Sequence, residues 1–239
     1  VPKPAAAATP VPIPAATAVR PPTAVTAKNR IVLVINEEPS QLSAHGAGGG
    51  ITASIHYENM SDPLTWQSGD DQRIVPTTAT VGWEQVDQDT WRFQLRRGVK
   101  FHNGEPWNAR AALPSLKSLG SAESESDSFG YTGAFSAEAK DDYTLDINCL
   151  DPCPIFPNTA FYVNFTAPNF LATATEAQVA RQNVGLGPYK QVKWDPGVSI
   201  TMEAYEAYVP AGNHFEFQKG AIRDATWFWR GERLAMMAM

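Results

Sequence analysis

One histidine stands where chemistry would be sought first: His102 in FHNGEPWNA (Phe101 to Ala109), beside Asn103-Gly104 and just behind the basic run RRGVK. An imidazole there could serve as a general base or a metal ligand, and either role needs partners at a workable spacing. None is supplied. His45, His56 and His214 are scattered, no GxSxG or HExxH occurs, and no serine or cysteine nucleophile is set against a base. His102 is therefore read as architectural. No catalytic residue, metal centre or cofactor is expected, and the chain is read as a non-enzyme.

The other reactive-looking stretches also fall short of a motif. Cys149 and Cys153 in CLDPCP do not have CxxC spacing and have no histidine nearby, so they match neither zinc nor redox signatures. The intervening Asp-Pro favours a turn. The pair is open to a turn-closing disulfide in an oxidising compartment or to two free thiols, because the Cα separation cannot be read from sequence. Gly46 and Gly48, Gly49 and Gly50 in AHGAGGG lack the Gly-Lys-Ser/Thr of a phosphate loop and lie about nine residues past the nearest strand. They are read as a mobile loop entering a helix with Ile51, Ile55 and Met60 at near-helical spacing, able to line a cleft with backbone N–H groups. SAESESDS (Ser121 to Ser128) lacks the glycine and terminal glutamate of a calcium loop and is read as a solvated loop.

The elements that must position these residues are legible from periodicity. IVLVIN (Ile31 to Asn36) is apolar and β-branched, the mark of a buried strand, and EEPS ends it in a turn. TWRFQLRRGVKF alternates Trp91, Phe93 and Leu95 with Arg92, Gln94 and Arg96, a half-buried strand. Arg97-Gly98 then turns the chain and Val99 and Phe101 resume the apolar face. Asn103-Gly104 is a turn in which both residues tolerate positive φ. Arg96, Arg97 and Lys100 read as a solvated strand face. Asn108 is a natural N-cap for a helix from Ala109. YTLDINCL (Tyr143 to Leu150) and VSITMEA (Val198 to Ala204) alternate as strands. NVGLGPYKQVKW, with Gly185, Gly187 and Pro188 ahead of Tyr189, reads as a glycine hinge entering a strand.

Composition bounds the function class. The 239 residues, 43% hydrophobic, suffice for one large or two small units. Residues 1–30 carry Lys3, Arg20, Lys28 and Arg30 and no acid, which leaves 15 basic and 25 acidic groups, a balance of −10, on the rest. So acidic a body argues against nucleic acid as a partner. The first 30 residues hold seven prolines and nine alanines, without helical or strand periodicity. They read as an extended, disordered tether or an arm that lies on a partner protein. The start at Val1 suggests processing, and a lipid attached upstream is compatible with it. No run of 18 apolar residues is present, so no membrane span is expected.

Taken in order, Trp83-Glu84, WRFQLRRGVKFHNGEPWNA, NVGLGPYK and Tyr205 to Tyr208, with YENM and DPL before them, resemble the extracytoplasmic solute-binding proteins of ABC importers. The similarity is to family 5, the class that includes peptide- and nickel-binding members, and covers nearly everything after residue 30. It compares with F-x-L-R-x-G-V-K-F-H-D-G-x-P-x-x-A and G-T-G-P-Y, and places Phe101, His102, Asn103, Gly104, Gly185, Gly187, Pro188 and Tyr189 in structural motifs. Departures are Leu186 for Thr, Ala111 and Ala112 for the usual Asp and Val, and Pro114, which is expected to interrupt the helix.

The resemblance implies an α/β, periplasmic-binding-protein-like (type II) first lobe with a mixed sheet. Residues 31–60 and 184–239 would form its core and 61–183 an inserted α/β subdomain. The second lobe is absent, and GERLAMMAM at the end reads as a helix cut partway. It implies an extracytoplasmic, membrane-associated transport component that captures a peptide or similar small molecule between two lobes and delivers it to ABC importer membrane subunits. The other reading is a truncated lobe serving as a scaffold or accessory subunit. Ligand contacts are expected at Glu37, Glu38 and Ser40 and at the backbone of Gly48, Gly49 and Gly50, because loops at strand ends open into a cleft.

Overall fold

A computed structural model describes residues 29–43, 58–69, 71–124, 126, 129–212 and 218–230. The tether up to residue 28, Gly48 to Gly50 and the terminal GERLAMMAM lie outside them.

Two four-stranded sheets carry the structure. The first has the order β1-β10-β9-β8, from β1 (Arg30–Ile35), β8 (Tyr189–Asp195), β9 (Ser199–Ala204) and β10 (Asp224–Trp229). Its β1 and β10 run parallel, Ile31 against Ala225 and Ile35 against Trp229, and the other pairs are antiparallel, so the sheet is mixed. The second sheet, order β4-β5-β7-β6, is wholly antiparallel and uses β4 (Thr80–Gln85), β5 (Thr90–Leu95), β6 (Phe135–Ala139) and β7 (Thr144–Cys149). A ribbon of β2 (Thr65–Gln67) and β3 (Ile74–Pro76) lies between them in sequence.

Alternation in the second sheet does what the pattern requires. Phe93, Leu95, Leu145 and Ile147 point inward and are buried. They meet α1 (Ala109–Gly120), whose Ala109, Ala112, Leu116 and Leu119 recur at helical spacing on one buried face. The outward face of the same strands pairs Arg92 with Asp146 across the β5–β7 register, as a two-pronged ion pair of 2.7 and 2.8 Å. The smaller core beside the first sheet gathers Leu42, Met60, Ile200, Met202 and Trp229. Short helices α2 (Phe129–Thr132), α3 (Phe156–Thr159), α4 (Pro168–Thr173) and α5 (Glu176–Arg181) and a 3-10 turn (Ala160–Tyr162) complete the described part. No helix among the described residues is long and apolar enough to cross a membrane.

Four expectations need correction. The first strand is not buried: among the described residues β1 has β10 as its one neighbour, none of its residues is fully covered, and Val32 is 50% exposed. Pro114 does not interrupt α1, which runs on to Gly120. The proline lies on the exposed face, so the unpaired carbonyl one turn earlier can meet water while the apolar face holds the helix to the sheet. In the loop after α1, Ser126 is buried rather than solvated. Val198 is 46% exposed, leaving Ile200 and Met202 as the buried apolar residues of β9, beside buried Ser199.

The helix start follows the sequence closely. Asn108 Oδ1 accepts from the Ala111 N–H at 2.9 Å, satisfying one orphan donor of the first turn. Replacing Asn108 with Ala should cost about 1 kcal/mol, and Asn108→Asp should retain most of that stability. Urea unfolding of the two variants checks the pair, and equal losses would contradict the cap.

Candidate functional site

The motifs named in the sequence converge on one crossing. His102 N–H donates to Gly185 O at 3.0 Å, and Gly187 N–H donates to Met60 O at 3.0 Å. Tyr205 N–H reaches Pro188 O at 2.8 Å, and its hydroxyl donates to Phe101 O at 2.8 Å. Residues 185–188 are thereby held between the turn after β5, the segment at Met60 and the stretch after β9. Asn183 adds a staple, its amide donating to Leu42 O at 3.2 Å and to Ser61 Oγ at 3.1 Å.

Gly185 and Gly187 are not a hinge. Neither adopts positive φ, and a Cβ on Gly185 would lie 2.3 Å from Met60 O, one on Gly187 2.5 Å from Met60 C. They are glycines because another backbone passes where a side chain would be. At the neighbouring turn, Gly104 alone takes positive φ, at 89°. Asn103 contributes through its side chain, accepting from the Glu105 N–H at 3.1 Å.

His102 is part of this crossing. Its Nε2 lies 3.0 Å from Gly187 O, and since a carbonyl can only accept, Nε2 carries the proton. The ring meets Tyr205 edge-on at 5.0 Å. Nδ1 is buried without a partner, so a second proton would bring an unpaired charge into the interior. Burial therefore lowers the imidazole pKa to about 4, despite the opposing bond to Gly187. Such a histidine is a neutral structural donor. The other three histidines lie outside the described residues.

The loop after β1 holds the expected ligand residues that can be placed. Glu38 accepts from Trp194 Nε1 at 2.8 Å and from the Gly197 N–H at 2.9 Å, which fastens the loop to the β8–β9 hairpin. Glu37 and Ser40 are exposed beside it. Arg181 lies over the other side of this anchor, 5.1 Å from the Trp194 ring. Gly48 to Gly50 are outside the described residues, so the two halves of the expected ligand set cannot be brought together.

Several side chains escaped the sequence reading. Arg96 is not solvated: it donates to Thr77 O and Thr80 O at 3.0 and 2.9 Å. Arg97 and Lys100 are exposed as expected, Arg97 with its guanidinium 4.1 Å from the Tyr143 ring centre. Thr77, Thr78 and Thr80 donate to the carbonyls of Pro63, Val209 and Leu64 respectively, tying three distant segments together. Asp62 is buried and accepts from the Tyr208 hydroxyl at 2.7 Å. Cys149 and Cys153 are joined as a disulfide, closing the CLDPC turn, and Trp91 Nε1 donates to Cys153 O at 2.9 Å. Among the described residues no group of three or more His, Cys, Asp and Glu could hold a metal ion.

Sequence comparison assigns this arrangement. The model of the "bacterial extracellular solute-binding proteins, family 5 Middle" matches residues 73–223, from the end of the β2–β3 loop to the start of β10. The chain belongs to this family. A probable peptide ABC transporter periplasmic-binding protein, y4tO of Sinorhizobium fredii, is 28% identical over 195 residues, 72% of this chain and 36% of that protein. The glutathione-binding protein GsiB of Pectobacterium atrosepticum is 27% identical over 147 residues, 59% of this chain and 28% of its own. The crystal structure of NikZ from Campylobacter jejuni, in complex with Ni(L-His), shares the fold with a TM-score of 0.74 at 17% identity, covering 88% of this chain and 41% of NikZ. The chain thus spans about a third of the length of these curated relatives.

The neutral state of His102 has a measurable consequence. The unfolded imidazole protonates near its ordinary 6.5 and the folded one near 4, so the stability that depends on neutral His102 is complete above pH 6.5. It shrinks as pH falls from 6.5 to 4, by roughly 3 kcal/mol at most. Urea unfolding at pH 7 and pH 4 should show the wild type losing that much more than His102→Gln. Parallel losses would mean that the ring is protonated in the folded protein.

Proposed function

We propose that this chain forms the first lobe of an extracytoplasmic solute-binding protein that captures peptides or similar small solutes for an ABC importer. The observation that carries the reading is the family match over residues 73–223, which spans the whole second sheet and two strands of the mixed sheet. Peptide and glutathione binding by the relatives, as their names state, supports the substrate class. The task is binding rather than catalysis. An ABC importer's membrane subunits are the partner this function needs, and the Pro- and Ala-rich residues 1–30 suit a tether, with or without a lipid, at the outer face of the membrane.

In this reading the solute lies against the loop after β1. Glu38 sets the loop's position through Trp194 and Gly197, Glu37 and Ser40 face outward from it, and Gly48 to Gly50 contribute backbone N–H groups. A second lobe closes over the solute by domain motion, and contact with one lobe alone rarely offsets the cost of association.

Calorimetric titration of the natural full-length protein with dialanine, trialanine and glutathione tests the proposal. At least one should bind with a Kd of about 10 μM or tighter, and residues 1–239 alone should bind at least about 100-fold more weakly. Glu37→Ala should weaken the full-length complex severalfold without changing its unfolding midpoint. Failure of all three solutes to bind would overturn the peptide reading.

A further inference from the structure

A separate cavity of about 190 Å³ opens between the segment at residues 58–66 and the stretch 161–164 that follows α3. Its described lining includes two carboxylates, Asp62 inside and Glu58 at the exposed rim, and no lysine or arginine. Neither acid belongs to an ion pair among the described residues. Asn164 is 3% exposed and presents an Oδ1 that no group donates to; its orientation is set by its own Nδ2, which reaches Tyr162 O at 3.5 Å. Trp66 and Phe161, edge-on with centroids 6.3 Å apart, complete the wall.

The chemistry of these groups is one-sided. Acceptors and negative charge face the space and no cation balances them, so an anion is excluded by the field. A hard divalent cation asks for six or more oxygens, and the described residues contain no group of three or more acids or histidines fit for a metal. The volume is below that of a drug-sized site. What fits is a compact cation with several N–H donors and no acceptor, able to sit beside aromatic rings.

We propose that this cavity binds the ammonium head of a small primary amine, with Asp62 as its counter-ion, Asn164 Oδ1 as second acceptor and Trp66 and Phe161 as its aromatic wall. Burial holds the Asp62 pKa up at about 7 although hydrogen bonds from Tyr208 and Thr78 lower it, so a cation beside it would favour the ionised form. The site uses none of residues 37–50, so it stands independently of the peptide reading.

Titrating the full-length protein with methylammonium chloride, against potassium chloride at equal ionic strength, provides the test. Saturable methylammonium binding is expected, absent for potassium and for tetramethylammonium, which has no N–H. Asp62→Asn should weaken it at least tenfold. Asn164→Asp, which adds a charge where the orphan acceptor is, should tighten it, a gain that a merely structural asparagine would not give. Circular dichroism and the unfolding midpoint verify that both variants fold. Diglycine and N-acetyl-diglycine separate a free amine from a peptide terminus: diglycine binding that is lost on acetylation and on Asp62→Asn places a peptide's ammonium here. Equal binding of potassium, or no binding of methylammonium or diglycine that responds to Asp62→Asn, would overturn the proposal whatever solutes the protein binds elsewhere.

Discussion

The structure depends on a close passage of backbone over backbone at Gly185 and Gly187. With Met60 atoms within 2.5 Å of where either Cβ would be, the segment can exist only without side chains. Once it does, its carbonyls and N–H groups are shared among His102, Met60 and Tyr205. One short stretch thus joins the turn after β5, in the antiparallel sheet, to the strands of the mixed sheet. The chain reaches this point from residues far apart in sequence, so the loop-closure entropy of several long connections is met at a single locus.

Burial of polar groups sets the character of that junction. His102 is kept neutral chiefly because burial penalises the charged ring. Tyr208 donates to buried Asp62, and Tyr205 donates to Phe101 O. The three threonines of PTTAT bind carbonyls of Pro63, Leu64 and Val209, so a stretch that looks like an ordinary polar loop is a buried connector. Each of these bonds contributes modestly when made, but its loss would leave a desolvated group without a partner. That asymmetry makes the joint specific in its geometry.

The loop after β1 is fixed by the Glu38 contacts to Trp194 and Gly197, and the cavity at Asp62 is lined by Ser61, next to Met60 in the chain. The sequence reading singled out the first as an expectation, from the rule that loops at strand ends open into a cleft. It did not recognise the second. Asp62 is about a hundred residues from Phe161 and Asn164, and no local spacing relates it to them. The same holds for Arg96, whose charge suggested solvent while its acceptors are carbonyls of an adjacent strand and loop.

What the sequence determined by itself was everything written in short-range periodicity and turn chemistry. The alternation of Trp91, Phe93 and Leu95 and the Asn108 cap are local properties, and the family's ordered motifs added the fold class. The tertiary structure alone decided what depends on neighbours distant in the chain. It left β1 half-exposed beside β10, its one neighbour among the described residues, because exposure follows from strand order and not from the apolar run itself. It let α1 pass through Pro114, because the missing hydrogen bond faces solvent. It turned an apparent glycine hinge into a packed crossing, because a glycine permits close approach as readily as it permits unusual dihedral angles, and only the second backbone reveals which is in use.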